Sequence, residues 1–273
     1  MSKNESKPAS APKATDKPAE AAGSLPLFYT KPTPLDSQKH AALGLKKNFG
    51  FGFSSTINAV PINMIEMTQI CHHYPIAFSP DASATPVAIV GLRDKENLFV
   101  QPDGRWAEAT YIPSYVRRYP FIFSEVPGGD GNLTLCVDMN DNVVADKSDQ
   151  PFFEADGKPS TLSKNGLEFC KAYHAAAKQT QDFSAALVKY DLLTERAAQI
   201  NVAGNTRINF SGFRILDEQK LEKMKDKDFL EFRKTIEGKK LNWVPFLYAA
   251  LFSGPQWHKL TYMLNNRMDK NAA

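Results

Sequence analysis

The sequence predicts an α+β chain with an antiparallel, β-rich N-terminal half and a mostly helical C-terminal half. Three observations predict it. Between residues 60 and 145, short runs of β-branched and aromatic residues alternate with turn signals. From about residue 161, apolar residues recur at spacings of three and four, the period of a helix with one buried face. Within the β-rich stretch, residues 72–100 superpose without a gap on residues 117–145, a constant offset of 45. The chain has 273 residues, of which 42% are hydrophobic and 23% charged. That is enough for one large domain or for a β-rich half docked on a helical half.

Taken in order, residues 1–24 contain six Ala, three Pro and four Lys, with no aromatic residue and no aliphatic one larger than Ala after Met1. Such a segment buries too little apolar surface to offset its ordering entropy, so a disordered tail is expected over 1–24. The β-rich region is expected over 25–145. It opens with LPLFYTKPTPLD, whose prolines impose an extended path, and FGFSSTINAVPI, rich in aromatic and β-branched residues. PVAIVGL (86–92), NLFV (97–100), PFIFSE (120–125) and LTLCVDM (133–139) read as strands. In the repeat, His72-His73-Tyr74-Pro75 matches Arg117-Arg118-Tyr119-Pro120, each leading into a strand, a loop, a second strand, a polar turn and a third strand. Two copies are too few for a solenoid, so they are expected to share a sheet or a barrel-like pair.

Residues 146–160 are a polar, Pro- and Gly-containing connector. The helical region is expected over 161–273, with one strand near 207–217 bent at a glycine. Leu167, Cys170, Tyr173 and His174, then Phe183, Leu187, Tyr190 and Leu193, predict two helices or one bent helix over 161–200. Asp217 is placed to cap a helix with Leu221, Met224, Phe229, Phe232 and Ile236 on one face, closed by Gly238. Trp243 to Leu251 predicts another helix, and Pro255 begins a last one carrying Trp257, Leu260 and Leu264.

The chemistry is less explicit. A net charge of +3 makes no electrostatic case for nucleic acid. No stretch reaches the roughly 18 apolar residues of a membrane span. Residues 1–24 lack the apolar centre of a secretory signal, so the expected location is cytoplasmic, or the cell surface by a signal-independent export route. Cys71, Cys136 and Cys170 are widely spaced and read as reduced core residues. There is no Walker lysine loop, GxSxG elbow or HExxH, and no cofactor or metal is indicated. Gly50-Phe51-Gly52 reads as a bend. His72 and His73 point to different sides of whichever element they occupy and read as a basic rim instead of metal ligands. Asp138-Met139-Asn140-Asp141-Asn142 resembles the opening of a calcium loop, but Val143 stands where that loop needs glycine, so a polar hairpin turn is expected. The densest mix of aromatic and basic side chains is Arg105, Trp106, Tyr111, Tyr115, Arg117, Arg118 and Tyr119, joined by Arg93 in the first copy's polar turn. Guanidinium and aromatic faces suit a protein partner or a small anionic or sugar-like ligand, which makes these the candidate binding residues. No paired carboxylates, activated serine or cysteine with a neighbouring base emerge from the spacing.

LPLFYTKPTPLDSQKHAALGL, HHYPIAF, PVAIVGLRDKENLFVQPDGRW, YIPSYVRRYPFIFSE, LTLCVD, GFRILDE and WVPFLYAALFSGPQWHKL together span nearly all of residues 25–265. On these phrases the chain resembles the SapC family of bacterial surface-layer-related proteins. The resemblance implies a link to formation of a paracrystalline surface layer and brings no catalytic residue with it. The expectation is a non-enzymatic accessory protein of surface-layer or cell-envelope assembly that acts by binding a partner or ligand. The rival is a cytoplasmic enzyme or small-molecule carrier from a metabolic gene cluster, with a pocket between the sheet and the C-terminal helices.

Overall fold

The computed structural model describes residues 9–10, 25–47, 49–125, 133–202, 206–233, 235–236, 239–240 and 242–272. The strands are β1 (Ala9–Ser10), β2 (Pro32–Pro34), β3 (Leu43–Leu45), β4 (Ala59–Pro61), β5 (Ile76–Phe78), β6 (Pro86–Ile89), β7 (Phe121–Glu125), β8 (Leu133–Asp138), β9 (Val144–Asp146), β10 (Gln150–Pro151), β11 (Leu193–Val202), β12 (Thr206–Leu216), β13 (Thr235–Ile236) and β14 (Lys239–Lys240). The helices are α1 (Met67–Ile70), α2 (Ser114–Arg118), α3 (Thr161–Lys189), α4 (Glu218–Glu222), α5 (Asp226–Phe229), α6 (Val244–Phe252) and α7 (Gln256–Ala272). Antiparallel sheets fill the N-terminal half and helices most of the C-terminal part, so the chain is α+β. Of the expected tail, only the backbone of β1 lies within the described residues.

The largest sheet runs β1-β12-β5-β6-β4, with β11 also paired to β12. β2-β8-β7 and β10-β3-β9 form two three-stranded sheets. Proline sits where its missing N–H costs no ladder bond: Pro32 and Pro34 lie on β2 and Pro61 on β4, both at sheet edges. Tyr74-Pro75 and Tyr119-Pro120 each follow a helical turn and lead into an antiparallel hairpin, β5–β6 and β7–β8. The hairpins differ in register, because Ile76 faces Ala88 while Phe121 faces Val137, where the 45-residue offset would give Leu133. Of the expected strand 97–100, only Val100 pairs, in an isolated bridge to Trp106. The segment's other bonds go elsewhere, with Asn97 N–H on Ser55 O and Leu98 N–H on Val90 O. Within 146–160, β10 pairs with β3 and Phe153 bridges to Pro159, so this stretch carries structure of its own.

α3 follows the predicted period from Thr161 and is capped by Ser160, whose Oγ accepts the Ser163 N–H at 3.3 Å. Its buried face includes Cys170, Tyr173, Phe183 and Leu187. The expected helical extension to 200 is corrected by the structure: Asp191 adopts a left-handed φ of 51°, and Leu193–Val202 becomes β11. A ten-residue strand pairing along β12 supplies more interstrand bonds than another helical turn there would. β12 itself is the expected strand, and Gly212, at φ 82°, sits beside the register shift between Arg196 and Ala198. Asp217 caps as predicted, accepting from Gln219 N–H and Lys220 N–H. The single helix expected after it is instead α4, α5 and a 3-10 turn at Leu230–Arg233, because Lys225 takes an extended conformation. Gly238 lies outside the described residues. α6 and α7 stand where Trp243 and Pro255 predict them.

The two halves share one sheet. Arg214 of β12 pairs with Phe78 of β5, and its guanidinium donates to Ser79 O at 3.0 and 2.8 Å. Beneath that sheet, Val60, Met64, Tyr74, Phe78, Ile89, Phe99, Phe183, Leu247 and Leu264 form the main core. A second core gathers Tyr29, Tyr119, Phe121, Cys136, Val137, Phe152 and Cys170 under β7 and β8. Each large side chain fully buried here contributes about 1.5–3 kcal/mol relative to an exposed one. α3 reaches both cores and positions the binding candidates between them.

Candidate functional site

The decisive local structure is the five-residue helix α2. Pro113 precedes it in an extended conformation, and Ser114 opens it. Its first donors find a buried carboxylate: Glu66 Oε1 accepts the Ser114 N–H at 2.7 Å and Oε2 accepts the Ser114 hydroxyl at 2.5 Å. Glu66 also accepts the Tyr111 hydroxyl at 2.8 Å and its own cap's Asn63 N–H at 3.1 Å. A carboxylate holding four donors is fixed as scaffold.

Consecutive positions on a helix diverge by about 100°, so Arg117 and Arg118 serve different sides of α2. Arg117 is exposed. Its Nε donates to Ile112 O at 2.9 Å and its Nη2 to the Tyr111 hydroxyl at 3.0 Å. The guanidinium lies 5.4 Å from the ring centroids of both Tyr111 and Phe169. Two anchored nitrogens and two rings hold it in one pose, and Nη1 makes no hydrogen bond within the described residues. Burial, and then the charge of Glu66, push the Tyr111 hydroxyl up to about 12 against the opposing pull of Arg117. Tyr111 therefore stays a neutral donor to Glu66 at physiological pH.

Arg118 is 7% exposed. Its guanidinium stands 4.3 Å from the Tyr173 ring, 4.5 Å from Tyr115 and 5.7 Å from Tyr29. That cage clasps α3 to the β-rich half. Burial pushes the Cys170 thiol up to about 11, with the Arg118 charge opposing. Tyr119 is buried as well, stacked on Phe53 at 4.1 Å, and its peptide bond to Pro120 is cis. Its hydroxyl donates to Asp138 Oδ2 at 2.8 Å and accepts from Asn140 Nδ2 at 2.9 Å. Burial, then the bond to Asp138, hold that hydroxyl above the ordinary tyrosine range.

Asp138, the first residue of the calcium-like run, is fully buried. It accepts the Thr30 N–H at 2.8 Å, the Lys31 N–H, the Tyr119 hydroxyl and Asn140 Nδ2 at 2.7 Å. Burial raises its affinity for a proton, yet these donors outweigh burial and hold the carboxyl below its usual range. Asp138 thus locks the segment before β2 onto β8, and the turn that follows is not the expected hairpin, because it leads from β8 to β9, which pairs with β3 in another sheet.

The other candidates lie apart. Trp106 is buried, donating from Nε1 to the Tyr74 hydroxyl at 3.0 Å and packing on Phe51 and Phe99. Arg105 is exposed and pairs with Asp103 at 2.7 Å and Glu108 at 3.4 Å. Both border an open cavity of about 280 Å³ with Gln101, Ala107 and Glu108. Arg93 grips Glu96 with two bonds of 2.8 and 2.6 Å. The fold therefore brings Tyr111 and Arg117 together at the surface. It sends Arg118 and Tyr119 into the interior, and Arg93 and Arg105 into local ion pairs. Buried Glu66 and half-buried Phe169 complete the cluster around Arg117. The Asn63-x-x-Glu66 spacing of a capping box signals the first, while Phe169 is marked only by its place one turn from Tyr173 on α3.

Among known protein families, the model described as SapC matches residues 35–260, well over half of the chain. No curated protein and no solved structure matches.

Proposed function

The chain belongs to the SapC family, and from that premise we propose a non-enzymatic accessory protein of bacterial surface-layer or cell-envelope assembly that works by binding a partner or ligand. The observation that carries the binding half of this reading is the Arg117 guanidinium, exposed yet held by Ile112 O, Tyr111 and Phe169. Ordering a long side chain on binding costs about 0.5–1.5 kcal/mol, and Arg117 arrives already ordered. A carboxylate, phosphate or acidic sugar is the matching group for its free Nη1 edge. The nearby carboxylates support binding over proton transfer, since Glu66 and Asp138 are both saturated by donors.

The test is recovery of partners from native lysate with wild-type protein and with Arg117→Glu. The reading expects loss of at least one specific partner, with melting changed by less than about 0.5 kcal/mol because the residue is exposed. An identical set of partners from both proteins refutes the site assignment. The envelope link is tested by adding protease to intact cells: digestion supports a surface position, and protection in the soluble fraction moves the role inside the cell.

A further inference from the structure

We propose that the open edge of β12 is a strand-docking slot, and that Ala9–Ser10 of a second copy of this chain fills it in exchange for the copy's own. A strand has two edges. β11 covers one edge of β12 along Thr206–Leu216. On the other, β5 reaches β12 at Arg214 alone, and β1 lies parallel to it with Ala9 beside Phe210 and Ser10 beside Ser211. Among the described residues, nothing else pairs with that edge. A segment some 200 residues away in sequence is thus seated there by its backbone, the mode in which an extended peptide adds a strand to a sheet.

The edge is rigid before anything docks on it. Phe210 and Phe213 are buried, with their rings 5.7 and 5.3 Å from the ring of Trp257 on α7. Ile208–Phe213 carries neither a charge nor a proline, the residues that ordinarily keep a bare edge from pairing, so this stretch relies on a cover. The cover is short. Pro8 and Pro12 stand on either side of Ala9-Ser10-Ala11, and neither can donate to a ladder, so no single tail is held by a long run of bonds. The occupant is a second copy because every copy carries both the tail and the edge. Fourteen residues separate Ser10 from Leu25, a reach of about 50 Å when extended. A compact chain of this length has a radius of gyration of about 18 Å, so the tether is long enough to leave its own surface for a neighbour's. Donor and acceptor are different surfaces, and such a contact joins copies head to tail. The tether holds the copy's own tail at an effective concentration near the millimolar range, so exchange is favoured where copies crowd together.

The test uses the full chain and a fluorescent peptide of residues 4–16. Ala9→Pro combined with Ser10→Pro removes both tail donors and leaves the edge intact. The amides of Phe210–Gly212 should exchange hydrogen about tenfold faster in this double variant than in the wild type, and added peptide should restore their protection. The peptide should bind the double variant about tenfold more tightly than the wild type, whose slot is filled. Light scattering then reads the exchange between copies: the apparent mass of the wild type should rise from about 10 μM to about 1 mM, and that of the double variant should stay constant. Circular dichroism establishes that both proteins are folded. Equal amide exchange in the two proteins, or a peptide that restores no protection, overturns the slot. A wild type of constant mass, or growth of mass in both proteins alike, overturns the exchange between copies. Arg117→Glu leaves tail and edge untouched and should behave as the wild type throughout, so failure here is separate from failure of the Arg117 reading.

Discussion

Asp138 shows how much one side chain organises. Replacing it with Ala strands the Thr30 and Lys31 N–H groups, the Tyr119 hydroxyl and Asn140, and should cost about 3 kcal/mol in urea unfolding. Because the folded carboxyl is held below its usual range, its contribution is complete above the unfolded value of about 3.9. It fades as pH falls through the lower folded value. The stability gap between wild type and Asp138→Ala should therefore close at strongly acid pH, and a constant gap from pH 6 to pH 2 would contradict the assignment. At this scale the sequence singled out the segment but not the division of labour within it. Arg117 and Arg118 look alike in a row of letters. Only the attachment of α2 to Glu66 and α3 decides which of them faces water. Phe169 lies more than 50 residues from Arg117, and no local spacing could pair them.

Elements were legible where local periodicity and tertiary packing agree. α3 is such a case, since its apolar period, Ser160 cap and buried face all coincide. β11 is the opposite case: the spacing of Leu187, Tyr190 and Leu193 continues the helical pattern past its real end, and the strand exists because β12 lies opposite to receive it. Pairing across a chain reversal leaves no period in one segment. The packing of α3 on β7 yields a further prediction. A Cβ at Gly166 would stand 3.0 Å from several atoms of the Phe121 ring, and Phe121 is itself buried. Helix propensity favours Ala over Gly by about 1 kcal/mol. Overpacking costs about 1–3 kcal/mol, so Gly166→Ala should be destabilising on balance. A rise in melting temperature would show that the ring moves aside freely.

Across the whole molecule, the sheet order β12-β5-β6-β4 binds the two halves more firmly than the sequence suggested, since the sharp change of texture near residue 146 reads as a boundary. The α+β class was readable because each half announces its own period. Their union was not, because it rests on pairing between residues as distant as Phe78 and Arg214. A fragment ending at residue 160 lacks α3, β11, β12, α6 and α7, and with them the cover for Val60, Phe78 and Phe99. It should show no cooperative unfolding transition, and a sharp thermal transition in that fragment would mark the first half as an independent domain.

The same long-range pairing sets a timetable for biosynthesis. A ribosome releases the β5–β6 hairpin more than a hundred residues before it releases β12, the strand that completes its edge. At about 5–20 residues per second, the nascent chain presents an open, apolar strand edge for several seconds. During that interval the unfinished protein is a natural client for a chaperone, and crowding of neighbouring nascent chains is its chief hazard.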